Sequence, residues 1–400
     1  MVSYPLPKKI GLLSGPLVCI LLNVLPLTLV NPEAHLVISV AAWMIIWWIT
    51  EAVAIPVTAL LPLTIFPILG IMDLKSVAVH YSNPILYLFF GGFVIALALE
   101  KVQLHKRIAL SILKLTGTHA DGIVLGFMLA TALMSMWISN TASTVVMLPI
   151  AVSVISLLMH DADGLNPREA NFSLTIMLGI AFAANIGGMG TIVGTPPTVL
   201  ALGFLESEYG ISISFVQWMK MGIPFVALML ACCYFLLVKV FYPSGLGEIQ
   251  SSAGTIDTEL AKLGPMKRGE IIVLLIFFCT ALTWILRSQL NIWFPDLKLT
   301  DTTIAMVAAL SLFVVPIEWN SGTFPLDWQD TQRLPWGILI LFGGGLALAA
   351  GLSKAGLVDF IGQLISSQQS WSVFIVGSVL ITLMLFMTEL IGNLALVTIL

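Results

Sequence analysis

Charged residues are scarce in this chain. Only 10% of its 400 residues are Asp, Glu, Lys or Arg, whereas 58% are hydrophobic; soluble domains carry roughly 25% charged residues. Long apolar runs with so little charge are typical of lipid-embedded segments, and they predict an all-α polytopic membrane protein. The net charge of -4 is small for this length, and it gives no indication of a nucleic-acid partner.

Cysteine and histidine are also rare. The four cysteines, Cys19, Cys232, Cys233 and Cys279, lie in apolar stretches without metal-ligand spacing, so we expect small core residues and neither disulfides nor ligands. The five histidines fall at the ends of apolar segments or in loops, which indicates no metal cluster and no histidine-based catalysis. Because no cleavage-site pattern precedes Pro32, the first apolar segment is predicted to be a retained helix.

The apolar segments give the expected order of helices. They cover about 10–30, 35–50, 54–72, 84–100, 120–138, 142–160, 171–206 with a break, 212–242, 269–288, 301–317, 334–352 and 371–390. With the N-terminus in the cytoplasm, twelve Lys and Arg face the cytoplasm and five face outward, in accordance with the positive-inside rule. Residues 101–115 place Leu104, Ile108 and Ile112 between basic residues, which predicts a helix lying on the membrane surface.

The polar segment Ser139-Asn140-Thr141 stands out because apolar residues flank it on both sides. Such side chains must face protein, water or ligand, since hydrocarbon leaves them without hydrogen-bond partners. They are poor helix-interior residues and good N-caps, so one helix is predicted to end near Ile138 and another to begin at this segment. The new N-terminus suits an anion, and the oxygens suit a small cation. An alternative is that these residues only join two helices.

The two apolar segments around this break, 120–138 and 142–160, have no other connection. The connection is too tight and too apolar in its surroundings for an aqueous loop. We therefore predict a re-entrant hairpin whose tip stops near the middle of the membrane, against a protein-lined cavity.

The two halves of the chain repeat each other. Gly91-Gly92 and Gly343-Gly344 stand 252 residues apart in similar apolar contexts. The same offset carries the first tip to residues 388–395, TELIGNLA, which predicts a second hairpin. By the predicted topology the second hairpin enters from the opposite side, so the repeats are inverted and the tips can meet.

Residues 179–198 predict a further helix break. Within them, residues 184–197 contain four glycines and Pro196-Pro197, which cannot continue a regular helix through a membrane. A glycine-rich packing face is the alternative. The two prolines favour a ligand-lining break, because they leave backbone carbonyls unpaired.

The chain resembles the divalent anion:sodium symporter family in four motifs that occur in order. They are WWITEAVAIPVTALLPL at 47–63, SNTAS at 139–143, ANIGGMGTIVGTPP at 184–197 and TELIGNLA at 388–395. That family contains bacterial dicarboxylate transporters and animal citrate and succinate relatives, and the resemblance runs from about residue 8 to the end. It implies an inverted-repeat transporter with two re-entrant hairpins and broken helices. A scaffold that dimerises and a transport domain that moves as an elevator are also implied.

The resemblance also implies site residues. One sodium ion would be held by Ser135, Ser139, Asn140 and a carbonyl near Gly188, and a second by Thr388, Asn393 and a carbonyl near Ile391. The substrate carboxylates would meet Asn140, Thr141, Thr195, Pro196, Gly392 and Asn393. No catalytic residue is expected.

Three departures from the family pattern bear on this assignment. The second tip reads Gly-Asn-Leu where Ser-Asn-Thr is usual, so Leu394 offers no hydroxyl. Thr198 stands where asparagine is usual. Leu400 falls inside the expected outgoing arm of the second hairpin, so we expect an intact protein roughly fifty or more residues longer.

The expected organisation follows from these assignments. The scaffold helices of repeat 1 and the surface helix cover 1–115, and the first hairpin, the broken helix and the following span cover 116–243. A cytoplasmic linker follows over 244–268. The scaffold helices of repeat 2 cover 269–365, and the second, truncated hairpin covers 366–400.

The expected function is sodium-coupled symport of a small carboxylate, most simply a C4-dicarboxylate such as succinate, across the bacterial inner membrane. The alternatives are a sodium-independent dicarboxylate exchanger, or a sodium-coupled carrier of sulfate or a monocarboxylate. A membrane enzyme is disfavoured because no nucleophile or acid–base pair shares a membrane depth. A channel is disfavoured because inverted repeats with two hairpins serve alternating access.

Overall fold

Helices follow the apolar segments of the sequence. A computed structural model describes residues 4–25, 32–156, 166–357, 360, 363 and 372–388, and these residues form no β-strand. Within them, seven helical stretches are long and apolar enough to cross a membrane: Leu6–Val24, Glu33–Thr50, Leu74–Lys101, Pro167–Gly188, Phe215–Phe241, Arg268–Trp293 and Trp336–Lys354. The prediction of an all-α multi-pass membrane protein is confirmed.

The described residues 4–25 and 32–156 contain nine helices. They are α1 Leu6–Val24, α2 Pro32–Thr50, α3 Ile55–Thr58, α4 Leu61–Ile68, α5 Leu74–His80, α6 Pro84–Lys101, α7 Leu104–Leu115, α8 Ala120–Ser135 and α9 Asn140–Ser156. The apolar segment 54–72 contains two short helices, because Pro56 and Pro62 each stand in the first turn of a new one, α3 and α4.

The later described helices are α10 Pro167–Gly188, α11 Pro196–Tyr209, α12 Phe215–Phe235, α13 Gln250–Leu263, α14 Arg268–Trp293, α15 Asp301–Val314, α16 Trp336–Lys354 and α17 Val373–Met387. A π-helical turn, Leu236–Phe241, extends α12. Short 3-10 helices cover Pro295–Leu297 and Trp328–Arg333.

One compact unit comprises Met1–Leu86, Val199–Ser212 and Pro335–Leu400. Its core is built from α1, α2, α4 and α16, with Met44, Phe66 and Leu341 buried in it. Glycine lets α16 approach its neighbours, since a Cβ on Gly344 would overlap the carbonyl group of Ala59. The second-half glycine pair therefore serves close helix packing.

The other compact unit comprises Tyr87–Thr198 and Ile213–Leu334. Helix α8 lies at its centre, packed by α7, α9 and α10, and Phe127, Met128 and Ile176 are fully buried in the core. A Cβ on Gly187 would overlap the backbone of Ala132, so α8 and α10 touch closely near their C-terminal ends. This contact brings the two helix breaks of the unit to one place.

The polar stretch 244–268, predicted to be a linker, is folded against this second unit. It contains α13, and two backbone hydrogen bonds hold the residues just before this helix. The Ala120 N–H donates to the Gly247 carbonyl at 3.1 Å, and the Ile249 N–H donates to the Thr118 carbonyl at 2.9 Å. The linker is therefore held at the start of α8.

Ion pairs join α7 to α13 and to the start of α14. They are Lys106–Glu259 at 2.9 Å, Arg107–Glu270 at 2.5 Å and Lys114–Asp257 at 2.8 Å. Hydrogen bonds from Lys262 and Lys106 lower the pKa of Glu259. The basic residues of α7 thus face acidic side chains of the same unit.

The helix predicted over 101–115 is present as α7. Leu104 is buried, Ile108 is exposed, and the face toward the protein carries Leu110 and Leu113. Helix α7 packs on α8 and α13, so these neighbouring helices decide which of its faces is buried.

The prediction that all four cysteines are core residues was partly wrong. Cys19 is buried, but Cys232 and Cys279 are exposed. They lie on α12 and α14, helices of which only 28% of the span is buried within the protein. An apolar surface is stable against lipid, so apolar sequence context alone does not predict burial here.

Candidate functional site

The break predicted at Ser139-Asn140-Thr141 is confirmed. Helix α8 ends at Ser135, a turn follows over residues 136–139, and α9 begins at Asn140. Ser139 caps α9, because its Oγ accepts a hydrogen bond from the Ala142 N–H at 3.2 Å. Within the described residues no acceptor meets the N–H groups of Asn140 and Thr141. These two donors and the helix dipole make the start of α9 suitable for an anion.

The break predicted within 184–197 is confirmed as well. Helix α10 ends at Gly188 and α11 begins at Pro196, with a buried loop over 189–195 between them. The first two positions of α11 are prolines, which have no N–H to donate. Two hydroxyl groups stand there instead, with Thr195 Oγ1 2.8 Å from Thr198 Oγ1. The hydroxyls of Thr195 and Thr198 therefore supply polar contacts that the two prolines cannot.

The two breaks meet at Ser135. Its Oγ lies 2.7 Å from Asn140 Oδ1 and 2.6 Å from the carbonyl oxygen of Ala184. A hydroxyl has one hydrogen, so it can donate fully to only one of these two acceptors. The three oxygens therefore form a cluster with more lone pairs than hydrogens, which is the environment that a small hard cation prefers.

Gly188 closes this cluster on the side of α10. A Cβ on residue 188 would stand 2.7 Å from Asn140 Oδ1 and 2.6 Å from Thr195 Cγ2. Only glycine allows the end of α10 to come this close to both neighbours. The structure thus brings together Ser135, Asn140, Gly188 and Thr195, four of the residues predicted for the site.

The orientation of the Asn140 amide is set by Asn185. Asn140 Nδ2 donates to Asn185 Oδ1 at 3.0 Å, and Asn185 Nδ2 donates to the Ala181 carbonyl at 3.1 Å. Since the nitrogen of Asn140 is engaged on that side, its Oδ1 points toward Ser135. Asn185 orients the oxygen that a cation would meet.

Thr191 and Trp218 hold the loop between α10 and α11. Thr191 Oγ1 donates to the Met136 carbonyl at 2.5 Å and accepts from the Gly194 N–H at 3.1 Å. Trp218 Nε1 donates to the Met189 carbonyl at 2.9 Å. These contacts fix the loop on the α8–α9 turn and on α12.

An aromatic cluster packs the α8–α9 turn. The ring of Trp137 meets Phe277 edge-on at a centroid distance of 4.7 Å and is stacked at 6.0 Å from Phe215. The Phe215 N–H donates to Asp301 Oδ2 at 2.8 Å. The start of α12 is thereby fixed on α15, and the turn packs against an ordered apolar surface.

Charged groups are absent from both breaks, since residues 131–150 and 179–198 contain no Asp, Glu, Lys or Arg. From these two segments an anion would meet N–H groups and hydroxyls, and a cation would meet neutral oxygens. No charge of the two segments balances either ligand, so a cation and an anion bound side by side would stabilise each other.

The remaining predicted residues are placed as follows. Ser139 and Thr141 are exposed, and Pro196 is half-buried. Thr388 is exposed, and its Oγ1 donates to the Leu385 carbonyl at 2.8 Å. Ile391, Gly392 and Asn393 lie outside the described residues, as do the Gly-Asn-Leu tip and the second hairpin's outgoing arm. The site residues expected in the second half stay a prediction.

Sequence reasoning missed Ala184, Asn185, Thr191 and Trp218. Ala184 acts through its carbonyl group, which no side-chain pattern reveals. Asn185 and Thr191 carried a signal, because they are polar residues inside the glycine-rich stretch 184–197. Trp218 carried none, since tryptophan is common near membrane interfaces.

Known proteins are similar to this chain over most of its length. Residues 9–400 match the family described as sodium:sulfate symporter transmembrane region. The sodium-dependent dicarboxylate transporter SdcS of Staphylococcus saprophyticus is 36% identical over 406 residues, 99% of this chain and 77% of that protein. SdcS of a bovine strain of Staphylococcus aureus is 38% identical over 370 residues, 90% of this chain and 70% of that protein. The matches confirm the resemblance seen in the motifs and the prediction of a membrane transporter rather than an enzyme.

Proposed function

Because this chain belongs to the sodium:sulfate symporter family, we propose that it is a secondary active transporter that carries a small dicarboxylate together with sodium ions. The observation that carries the proposal is the oxygen cluster of Ser135, Asn140 and Ala184 beside the free N–H groups at the start of α9. A cation and an anion can be bound there side by side. The cell membrane of a bacterium is the proposed location, in keeping with the bacterial relatives.

Sodium is the proposed coupling ion. Hard cations take oxygen ligands from hydroxyl, amide and carbonyl groups, and Ser135, Ser139, Asn140 and the Gly188 region offer these groups. Binding of Na⁺ would turn the Ser135 hydroxyl hydrogen away from Asn140 Oδ1 and supply a positive charge that the protein lacks there. Substrate binding would then be favoured only after sodium has bound, which couples the two fluxes.

The proposed anion is a C4-dicarboxylate such as succinate. One carboxylate would accept hydrogen bonds from the N–H groups of Asn140 and Thr141, and the hydroxyl of Thr195 beside Pro196 would contact the same anion. The relatives named as dicarboxylate transporters support a dicarboxylate, whereas the family description names sulfate. Sulfate and a monocarboxylate are the competing substrates.

A two-tip site is proposed to complete this arrangement. Thr388, Asn393 and a carbonyl near Ile391 would hold a second sodium ion, and Gly392 and Asn393 would contact the second carboxylate. The lengths of α8 and α9, 16 and 17 residues, support a re-entrant hairpin, because a crossing helix needs about 20 residues. Inverted repeats, an elevator motion between scaffold and transport domains, and a homodimer are part of the proposal.

The driving force depends on stoichiometry. Each net positive charge moved inward gains about 2.3 kcal/mol per 100 mV of membrane potential. Two sodium ions with a dianion move no net charge, whereas three do. Transport of succinate with two sodium ions would therefore be independent of the membrane potential.

Uptake of labelled succinate by proteoliposomes that contain the full-length protein tests the proposal. We expect accumulation with an inward sodium gradient and none with an equal potassium gradient. Unlabelled sulfate and butyrate in excess test the competing anions, and we expect neither to inhibit as succinate does. Accumulation that needs internal succinate but no sodium would contradict symport and establish exchange.

A further inference from the structure

Thr191 is a fully buried polar residue that neither the sodium ligands nor the substrate contacts include. Its side chain has an exposed fraction of 0%. Its single hydroxyl group both donates to the Met136 carbonyl at 2.5 Å and accepts from the Gly194 N–H at 3.1 Å. Met136 belongs to the α8–α9 turn, and Gly194 belongs to the α10–α11 loop. One side chain thus joins the two breaks that build the site.

Three side-chain hydrogen bonds in the described residues run between the α8–α9 break and the segment 184–195. The first joins Ser135 to Ala184, and the second joins Asn140 to Asn185. The third is the bond from Thr191 to Met136.

The first two of these bonds use side chains that the proposed function assigns to sodium. The oxygens of both side chains would contact the ion directly, so their positions respond to its binding and release. The bond from Thr191 uses neither an ion ligand nor a substrate contact. It can persist through ion binding and release.

We propose that Thr191 is a positioning residue that sets the distance between the sodium ligands of the two breaks. This inference rests on the proposed function. The oxygens of Ser135 and Asn140 lie on one side of the bond, and the Gly188 region lies on the other. With the bond in place, sodium meets oxygens that are already arranged, so little ordering cost opposes its binding.

Removing the hydroxyl should weaken sodium binding more than it weakens the fold. Thr191→Val keeps the shape of the side chain but leaves the Met136 carbonyl and the Gly194 N–H without their partner. We expect the sodium concentration for half-maximal uptake to rise roughly tenfold, with a smaller change in maximal rate. Thr191→Ser keeps the hydroxyl and should restore the parent value.

Thr131 offers a matched control. It is also 0% exposed, and its Oγ1 donates to the Phe127 carbonyl within α8. Thr131→Val therefore makes the same chemical change at the same burial without touching either break. We expect it to leave the half-maximal sodium concentration unchanged, even if it lowers the melting temperature.

The experiment measures sodium-dependent succinate uptake in proteoliposomes and, separately, the sodium-induced rise in melting temperature in detergent. If Thr191→Val folds poorly, Thr191→Cys, whose thiol is a weak donor, should give an intermediate shift. An unchanged sodium response in Thr191→Val or Thr191→Cys, or an equal shift in Thr131→Val, would overturn the positioning role. A parent protein with no sodium response in either measurement would instead overturn the proposed function, and this inference with it.

Discussion

Gly188 lies so close to Asn140 that a Cβ on residue 188 would stand 2.7 Å from Asn140 Oδ1. The same Cβ would also lie 2.6 Å from Thr195 Cγ2 and 3.2 Å from the Gly194 carbonyl oxygen. Two of these three neighbours are backbone or short side-chain atoms of the loop that follows α10. The end of α10, the start of α9 and the start of α11 therefore share a space that has no room for one methyl group.

Gly188→Ala should consequently damage the site. Inserting a methyl group into a packed region costs about 1–3 kcal/mol, and here the atoms that must move include the Asn140 oxygen and a methyl group of Thr195. We expect the half-maximal sodium concentration to rise roughly tenfold or more. Uptake of labelled succinate as a function of sodium concentration measures it.

Gly254→Ala is the control for this substitution. Gly254 lies within α13, and a Cβ there would meet no atom within 4 Å. Alanine in a helix interior is favoured over glycine by about 0.5–1 kcal/mol, so this variant should transport normally. Normal sodium dependence in Gly188→Ala would mean that the oxygen cluster is not the sodium site.

The ion pair between Arg107 and Glu270 should be important for stability. Only 6% of the Glu270 side chain and 16% of the Arg107 side chain are exposed. Removing one partner of a buried pair leaves an uncompensated charge, which costs about 3–5 kcal/mol. We expect Glu270→Ala to lower the free energy of unfolding in detergent by about 3 kcal/mol.

The Lys114–Asp257 pair is the exposed counterpart, with 58% and 55% of its side chains exposed. Water and salt screen such a pair, so Asp257→Asn should change the free energy of unfolding by less than about 0.5 kcal/mol. Equal losses in the two variants would show that α7 is not held mainly by the buried pair.

The sequence predicted both helix breaks, and it did so for local reasons. Ser139 is a good N-cap, and Pro196 with Pro197 cannot continue a helix, so these signals act over a few residues. What it could not predict is that the breaks meet. That meeting depends on the close contact of Gly187 with the backbone of Ala132, a relationship between residues far apart in the chain.

The errors in the fold have the same origin. Polar composition over 244–268 concealed α13, whose Asp257 and Glu259 find basic partners on α7. The sequence also did not predict which face of α7 is covered: Leu110 and Leu113 are buried and Ile108 is exposed, because α7 packs on α8 and α13. Sequence periodicity gives a helix and its apolar residues, whereas the neighbours decide which of them are covered.

His105 should make stability depend on pH. It is buried in α7, and its Nδ1 lies 2.9 Å from the Leu99 carbonyl, where the neutral ring can donate. Burial lowers the pKa of His105 below its ordinary value and outweighs the hydrogen bond to the Leu99 carbonyl, which raises it; the Lys106 charge lowers it further. The unfolded chain therefore takes up the proton first as pH falls. The stability contribution is complete above about pH 6.5 and is lost progressively below it, by up to about 1.4 kcal/mol per pH unit.

His105→Asn tests this expectation, because asparagine can donate from nearly the same position and does not titrate. We expect the parent to lose more stability than the variant between about pH 7 and pH 5. Melting temperatures in detergent across this range give the comparison. Parallel losses in the two proteins would assign the pH dependence to other groups.

Asn140 is predicted to serve both ligands, so substitutions there should separate them. Asn140→Ala removes the oxygen from the sodium cluster, and losing a partner for a charged group costs about 1.5–3 kcal/mol. We expect the sodium concentration for half-maximal uptake to rise at least roughly tenfold, with no measurable uptake at low sodium.

Asn140→Asp instead places a negative charge between the two ligands. It should strengthen sodium-induced stabilisation in detergent while weakening succinate binding, because the carboxylate attracts the cation and repels the anion. If both ligands bind the Asp variant as they bind the parent, Asn140 joins two helices and takes no part in the site.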